Sequence, residues 1–216
     1  MVIAIIGIML AVSLPSFIGL SRGANMRSAV IQLRSTLSLA RQWAITRRVP
    51  TYVVFPAYYN NMYSGFESHV TKAYRAYSVY TATNGYVQEW RYLPQGIVFV
   101  VDSTSVGNPN ISNANSLFSS SDTEQKEWDL PFPSATDSEA TVRAIQFSPD
   151  GSSMMREDGK QKGLDLEIFL AEGWTTVNTD DGTMNPTTPE YKATLEVQGI
   201  QVYKLTGQVR VREYTK

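Results

Sequence analysis

Asp150, Glu157 and Asp158 lie close together in the chain, and carboxylates at that spacing are the hard oxygen donors that gather a calcium ion. Asp180-Asp181-Gly182 offers a second acidic group of the same kind. Neither shows the alternating oxygen ligands and closing glutamate of an EF-hand loop, and ordinary turn chemistry explains both better. His69 is the single histidine, which excludes a multi-histidine metal centre and leaves little material for acid–base work near neutral pH. It stands among polar and aromatic residues and is expected to face solvent. There is no cysteine, so a disulfide framework, a thiolate metal site and a cysteine nucleophile are all excluded. No serine elbow, Walker loop, metalloprotease pair or dinucleotide fingerprint occurs. The expectation is a protein that is not an enzyme and carries no metal or cofactor.

The cations are more informative. Lys204, Arg210, Arg212 and Lys216 form a basic C-terminal cluster moderated by Glu213. In a strand over 208–214, Arg210 and Arg212 point to the same face, which is how a surface comes to contact nucleic-acid phosphates. Charge segregation argues against that partner. Residues 1–66 hold six arginines and no acid, so the remainder carries 13 basic against 20 acidic residues, a net of −7. An acidic head repels a polyanion, and nucleic acid is not the expected partner. Arg27, Arg34, Arg41 and Arg48 recur every seven residues. On a helix that places them about 10 Å apart along the axis, where their mutual repulsion in water is modest. They form either a solvated face or a basic stripe that meets acidic surfaces of neighbouring subunits.

The element that must carry this row begins at the N-terminus. Met1–Leu20 contains no charge, and roughly 20 apolar residues at about 1.5 Å each span the ~30 Å core of a bilayer. A cleavable signal peptide would place basic residues before the apolar stretch, and none stand there. Pro15 lacks an amide hydrogen and is expected to kink or locally unwind the helix. From Met26 the pattern is amphipathic: Met26, Val30, Leu33, Leu37, Ala40 and Ala44 follow at alternating steps of four and three, one apolar stripe ready to pack on a domain. Pro50 ends the element. The organisation expected is a transmembrane half over 1–21, an amphipathic half over 22–49 and a β-rich head over 50–216.

Within the head, Thr51–Phe55, Ile97–Val101, Leu164–Leu170 and Leu195–Val211 read as strands, the last broken at Gly199 and near Thr206-Gly207. Asn84-Gly85 between Ala73–Thr83 and Tyr86–Leu93 signals a two-residue hairpin that would set Val79 opposite Trp90 and Tyr77 opposite Tyr92, an apolar ladder facing the helix stripe. Pro149-Asp150-Gly151 and Asp158-Gly159 are turns. Ser103–Thr141 and Thr175–Pro189 read as long polar loops outside the core, of a kind that can select a partner. The sum is α+β: one long helix on an antiparallel sheet.

VIAIIGIMLAVSLPSFIGL, followed by LRSTLSLARQWAITRRVPTYVVF, resembles the N-terminal helix of type IV pilins and pseudopilins. EWRYLPQGIVF (89–99), AIQFSPDGSS (144–153) and IQVYKLTGQVRV (200–211) are similar, in the same order, to the H-type (GspH/FimT-like) group. The resemblance implies a type IV pilin-like fold. It also implies a minor pseudopilin or pilin of a type II secretion pseudopilus or related filament, taking part in protein export. The implied partners are other pilin and pseudopilin subunits, the membrane through the N-terminal helix, and secreted cargo. The implied place is the bacterial inner membrane, single-pass, with the head in the periplasm or outside the cell; the family's N-terminus is processed and methylated. The family's basic leader, pre-cleavage glycine and Phe-Thr-Leu-x-Glu do not occur in these 216 residues, so Met1 is expected to be a misassigned start or the chain a fragment. With arginines only after the apolar stretch, the positive-inside rule would put the head in the cytoplasm; the family orientation is preferred. FimT-like DNA-uptake pilins carry a C-terminal Gly-Arg-x-Arg, where this sequence has Gly207-Gln208-Val209-Arg210. The alternatives are such a DNA-binding pilin, and an anchored β-domain that never polymerises.

Overall fold

The apolar stripe winds into one helix, α1 (Val2–Arg47), which passes Pro15 without interruption. The computed structural model describes residues 2–58, 72–101, 106–111, 116–118, 128–132, 139–155, 165–178, 185–186, 189–192 and 196–215, with the helix side chains described from Gly23 onward. From there on, no helix among the described residues is long and apolar enough to cross a membrane. The side chains of the expected span over 1–21 lie outside the described residues, as do His69, Glu157, Asp158, the acidic group at 180–182 and Lys216. The helix stops at Arg47. Arg48 follows in the left-handed region (φ 57°), the usual way out of a helix, and Pro50 prevents further winding.

The strands follow as β1 (Thr51–Tyr58), β2 (Ala76–Thr81), β3 (Gly85–Tyr92), β4 (Ile97–Phe99), β5 (Trp128–Pro131), β6 (Glu139–Phe147) and β7 (Ser153–Met155). Then come β8 (Leu166–Trp174), β9 (Val177–Asn178), β10 (Asn185–Pro186), β11 (Glu190–Tyr191), β12 (Glu196–Val202) and β13 (Val209–Thr215). They form two principal antiparallel sheets. The first runs β3-β2-β1-β6-β5 with β7 also on β6; the second runs β11-β8-β12-β13 with β4 also on β8. β9 and β10 pair only with each other among the described residues.

Alternation along each strand decides what faces the helix. Val53 and Phe55 of β1, Ile145 and Phe147 of β6, Ile168 and Leu170 of β8, and Ile200 and Val202 of β12 join Ala29, Leu33, Leu37, Ala40 and Ala44 in one core. Leu33 and Leu37 are fully buried there, each worth about 1.5–3 kcal/mol of transfer free energy. The opposite face of the first sheet holds Tyr52, Val54, Trp90, Leu130 and Phe132; the opposite face of the second holds Val100, Val106, Phe169 and Val197.

Three expectations need correction. The β2–β3 hairpin turns over Ala82-Thr83-Asn84, not Asn84-Gly85: Thr81 pairs with Gly85, which takes φ 71°, the geometry of a three-residue loop closed by a left-handed glycine. The Asn84 amide donates to Thr81 Oγ1 (3.2 Å) and fixes the turn. The longer loop together with two register shifts, between Tyr80 and Val79 and between Val79 and Tyr77, places Val79 opposite Gln88 and Tyr77 opposite Arg91. Tyr77 and Val79 still face the helix, while Trp90 and Tyr92 lie on the far face. Second, the described residues of Ser103–Thr141 are not all external to the core. Leu117 and Phe118 enter the helix-side core, with Phe118 stacked on Phe99 at 5.2 Å, and β5 extends the first sheet.

The third concerns Gly199, which interrupts nothing: β12 runs straight through it. A Cβ at this position would lie 2.5 Å from Tyr214 Cε2, so the glycine is there because the Tyr214 ring lies across it.

Candidate interaction surfaces

The outward side of α1 follows from helical geometry. An α-helix and a seven-residue repeat disagree by about 20° per repeat, so a row spaced by seven drifts around the axis. Arg27 and Arg34 are exposed and make no ion pair with any described residue. By Arg41 the drift has carried the row to the edge of the head. Its Nε donates to Thr206 O (2.7 Å) and, at 3.4 Å, to Gly151 O, tying the helix to the β6–β7 turn and the β12–β13 turn together. Gly151 (φ 86°) and Gly207 (φ 60°) keep those turns tight, and a Cβ on Gly207 would meet Arg41 Cδ at 3.1 Å. Arg48 lies beyond the helix end. The expected row of four is therefore a free pair, one clamp and one residue off the helix. Beside the free pair, Ile31 is 67% exposed, and the Arg47 guanidinium sits 5.1 Å over the Trp43 ring.

On the inward side, Val30, Leu33, Leu37 and Ala40 are buried and Met26 packs against the same core. Ala29 and Thr36 are buried beside the stripe residues and widen the buried face beyond the single row of four- and three-residue steps.

The C-terminal cations are placed by β13. Arg210 and Arg212 share its outer face, away from the helix, with Lys204 in the turn before it. Arg212 Nη1 stands 3.7 Å from Glu167 Oε1, and the Tyr214 hydroxyl donates to the same oxygen (3.1 Å). Hydrogen bonding to Tyr214, with Glu167 beside it, holds the Arg212 proton more tightly than usual, and burial pushes the Tyr214 phenol up. This triad pins the strand; it uses the charge of Arg212 within the fold. Arg210 is exposed.

Asp150, the one described member of the first acidic group, accepts from the Ser152 amide (2.9 Å) and hydroxyl (2.7 Å), which holds its carboxyl below the usual range. That is turn chemistry, and the described residues contain no cluster able to hold a metal ion.

Two grooves open where α1 enters the head. One, of about 340 Å³, lies between Asn25, Gln95, Glu172, Trp174 and Lys192, with Trp174 half exposed. The other, of about 390 Å³, lies between the first described turns of α1 and the lower ends of β12 and β13; Met26, Val30, Ile31 and Val211 line it and Glu196 and Glu213 stand at it. At the other end of β12 and β13, Leu205 projects from the connecting turn with 82% exposure. A leucine inside a strand-rich C-terminal run gave no sign in the sequence that it would point outward.

The family model described as type II transport protein GspH matches residues 29–165, from the buried part of α1 to the residue before β8. No curated protein and no solved structure matches the chain.

Proposed function

This chain belongs to the GspH family of type II transport proteins, a family of structural pseudopilins, and from that premise we propose that it is a minor subunit of a type II secretion pseudopilus or related filament. On this reading residues 1–21 of α1 hold the subunit in the bacterial inner membrane, single-pass, until it joins the filament. Residues 22–49 serve as the spine of a periplasmic head over 50–216, and the parts of the long loops left at the surface meet neighbours or secreted cargo.

The observation that carries the reading is the division of one helix into two faces. One face is committed: Leu33, Leu37 and Ala40 are fully buried in the head. The other leaves Arg27, Arg34 and Ile31 exposed, a mixed basic and apolar surface that no described residue covers. A helix that only tethered a domain would gain nothing from an exposed isoleucine between arginines. A helix that packs among others gains both contact area and register from it.

The test is co-purification of the full chain from membranes with the other pseudopilins encoded beside it, comparing the wild type with an Arg27→Glu, Arg34→Glu double variant. The expected result is capture by the wild type and at least about tenfold less by the variant, with equal melting temperatures. Capture of the same subunits by both would remove the basic face from the assembly, and capture by neither would favour the anchored domain that does not polymerise. The nucleic-acid alternative has less support, since Arg212 is engaged with Glu167 and the glutamine at 208 leaves Arg210 without a basic neighbour two positions before it. A salt-dependent gel shift comparing wild type with Arg210→Ala decides it.

A further inference from the structure

The groove of about 340 Å³ at the foot of the head is built from separate stretches of chain. Asn25 of α1 donates from Nδ2 to Gln95 O (3.3 Å) in the β3–β4 turn, which fixes the helix against that wall. The opposite wall is the end of β8 with the short strand β11. It is held by the Gly173 amide donating to Gly96 O (3.0 Å) and the Lys192 amide donating to Glu172 O (3.0 Å). Gly173 admits this close approach, since a Cβ there would lie 2.5 Å from Glu190 O. Lys192 Nζ stands 3.5 Å from Glu172 Oε2, and Trp174 is half exposed beside them. The rim is a braced frame that presents a cation, an anion and an indole.

We propose that this groove seats the headgroup of a zwitterionic phospholipid bearing a primary ammonium, its phosphate against Lys192, its ammonium against Glu172 and its glycerol end against the Trp174 ring. The inference rests on the reading that residues 1–21 of α1 stand in a membrane. Depth selects the occupant. Asn25 lies four residues past position 21, about 6 Å along the helix axis. The polar layer of a bilayer is roughly 5–8 Å thick on each side of the ~30 Å hydrocarbon core. A chain held by residues 1–21 therefore brings the groove to the height of the headgroups. Tryptophan suits that layer, because its ring takes apolar contact while its N–H finds a polar partner.

Charge selects the kind of headgroup. A lone lysine would favour an anionic lipid, but Lys192 is paired with Glu172, and Glu190 stands exposed on β11 opposite Trp174. The neighbouring groove adds Glu196 and Glu213 against Arg27. A purely anionic headgroup would have to compete with these carboxylates for Lys192. A headgroup of both signs instead replaces one ion pair by two. The Lys192 side chain is 45% exposed, so its pair with Glu172 is worth little in water and opens at small cost.

The test inserts the full chain into vesicles of phosphatidylethanolamine and phosphatidylcholine and quenches tryptophan emission with phosphatidylcholine spin-labelled on its headgroup. The difference between wild type and Trp174→Phe isolates Trp174. Trp43 lies eighteen residues beyond Asn25 on α1, about 27 Å along the axis and out of the label's reach. Trp174→Phe is expected to lose at least about half of the quenching. Lys192→Glu, or phosphatidylglycerol in place of phosphatidylethanolamine, should each lower the Trp174 share at least about twofold, while Lys204→Glu at the far end of the head leaves it unchanged. Carbonate-resistant insertion with equal quenching in wild type and Trp174→Phe would overturn the seating and leave the membrane-held reading standing. So would a Trp174 share that Lys192→Glu or the exchange of headgroups leaves unaltered, the behaviour of an indole lying on the surface without a site. A shift of Trp174 emission by a soluble chitin oligosaccharide would overturn it too, by assigning the groove to a glycan. A chain that carbonate removes from the vesicles would instead overturn the membrane-held reading, and the seating would fall with it.

Discussion

The two sheets close their far faces by different means, although both press the same kind of side chain against α1. Behind the first sheet, aromatic rings meet edge-on: Trp90 and Phe132 at 4.8 Å, Tyr80 and Tyr86 at 5.5 Å, with the Trp90 indole and the Tyr86 hydroxyl both donating to Pro131 O. Behind the second, the apolar cover of Val106, Ile111 and Phe169 gives way toward β13 to a glycine, a tyrosine and an ion pair. The first arrangement is aromatic and self-contained, and it serves stability. The second leaves a charged edge strand, β13, entered from a turn that carries the exposed Leu205. The family match covers the first sheet entirely and stops before β8, so the strands bearing the charged edge lie outside the matched region. The first sheet thus lies within the family match, while the charged edge of the second lies beyond it.

Breaking what the two sheets share should have the largest effect. Leu37→Asp places a carboxylate where both sheets and the helix meet, with no described cation facing it. A cost of at least about 4 kcal/mol is expected, a large share of the roughly 5–15 kcal/mol that holds a typical domain folded, and the head should lose its cooperative thermal transition. A soluble, normally melting Leu37→Asp variant would show that the helix is not the spine of the head.

That stripe was legible from residue types alone, because a period of 3.6 in large apolar residues has few other causes. The hairpin was half legible. Asn84-Gly85 announced a turn, but whether Gly85 closes a two- or a three-residue loop depends on Thr81, whose hydroxyl takes the Asn84 amide, and the loop and two bulges moved Val79 and Tyr77 to new partners. The inward folding of Leu117 and Phe118 was not legible, because two apolar residues in a polar segment have no period. The division of the arginine row required knowing where the β6–β7 and β12–β13 turns stand. Those turns come from remote parts of the chain and are brought together only by the sheets.

Trp90→Ala removes the centre of the aromatic face and should cost about 3 kcal/mol, read as a lower denaturation midpoint in urea. An equal truncation on the second sheet should cost less, since Tyr214 is only partly buried. If Tyr214→Ala proved as damaging as Trp90→Ala, the distinction between a stabilising and a presenting sheet would fail.

Gly199→Val tests the second sheet from within. Its Cβ would overlap the Tyr214 ring, expelling it and leaving Glu167 without the phenol, at a cost of about 2 kcal/mol. In a Tyr214→Ala background the same substitution should cost less than half as much, because the obstacle is gone. A double-mutant cycle measures that coupling, and strict additivity would mean that the ring is not what the glycine accommodates.

The smallest effect near neutral pH separates the sheets by titration. Burial pushes the Tyr86 phenol up to about 12, and it also raises Tyr214. A tyrosine in the unfolded chain ionises near pH 10. The neutral phenol's contribution is therefore complete below about pH 10 and is lost as the pH climbs toward 12, because the unfolded chain gives up its proton first. Tyr86→Phe should cost about 1 kcal/mol at pH 7 through the lost bond to Pro131 O, then lose stability more slowly than wild type between pH 10 and 12. Tyr214→Phe should blunt that alkaline decline less, and should instead weaken the hold on Glu167 already at pH 7. Were Tyr214→Phe the variant that protects at high pH, the stabilising face would belong to the second sheet and the assignment of roles would have to be exchanged.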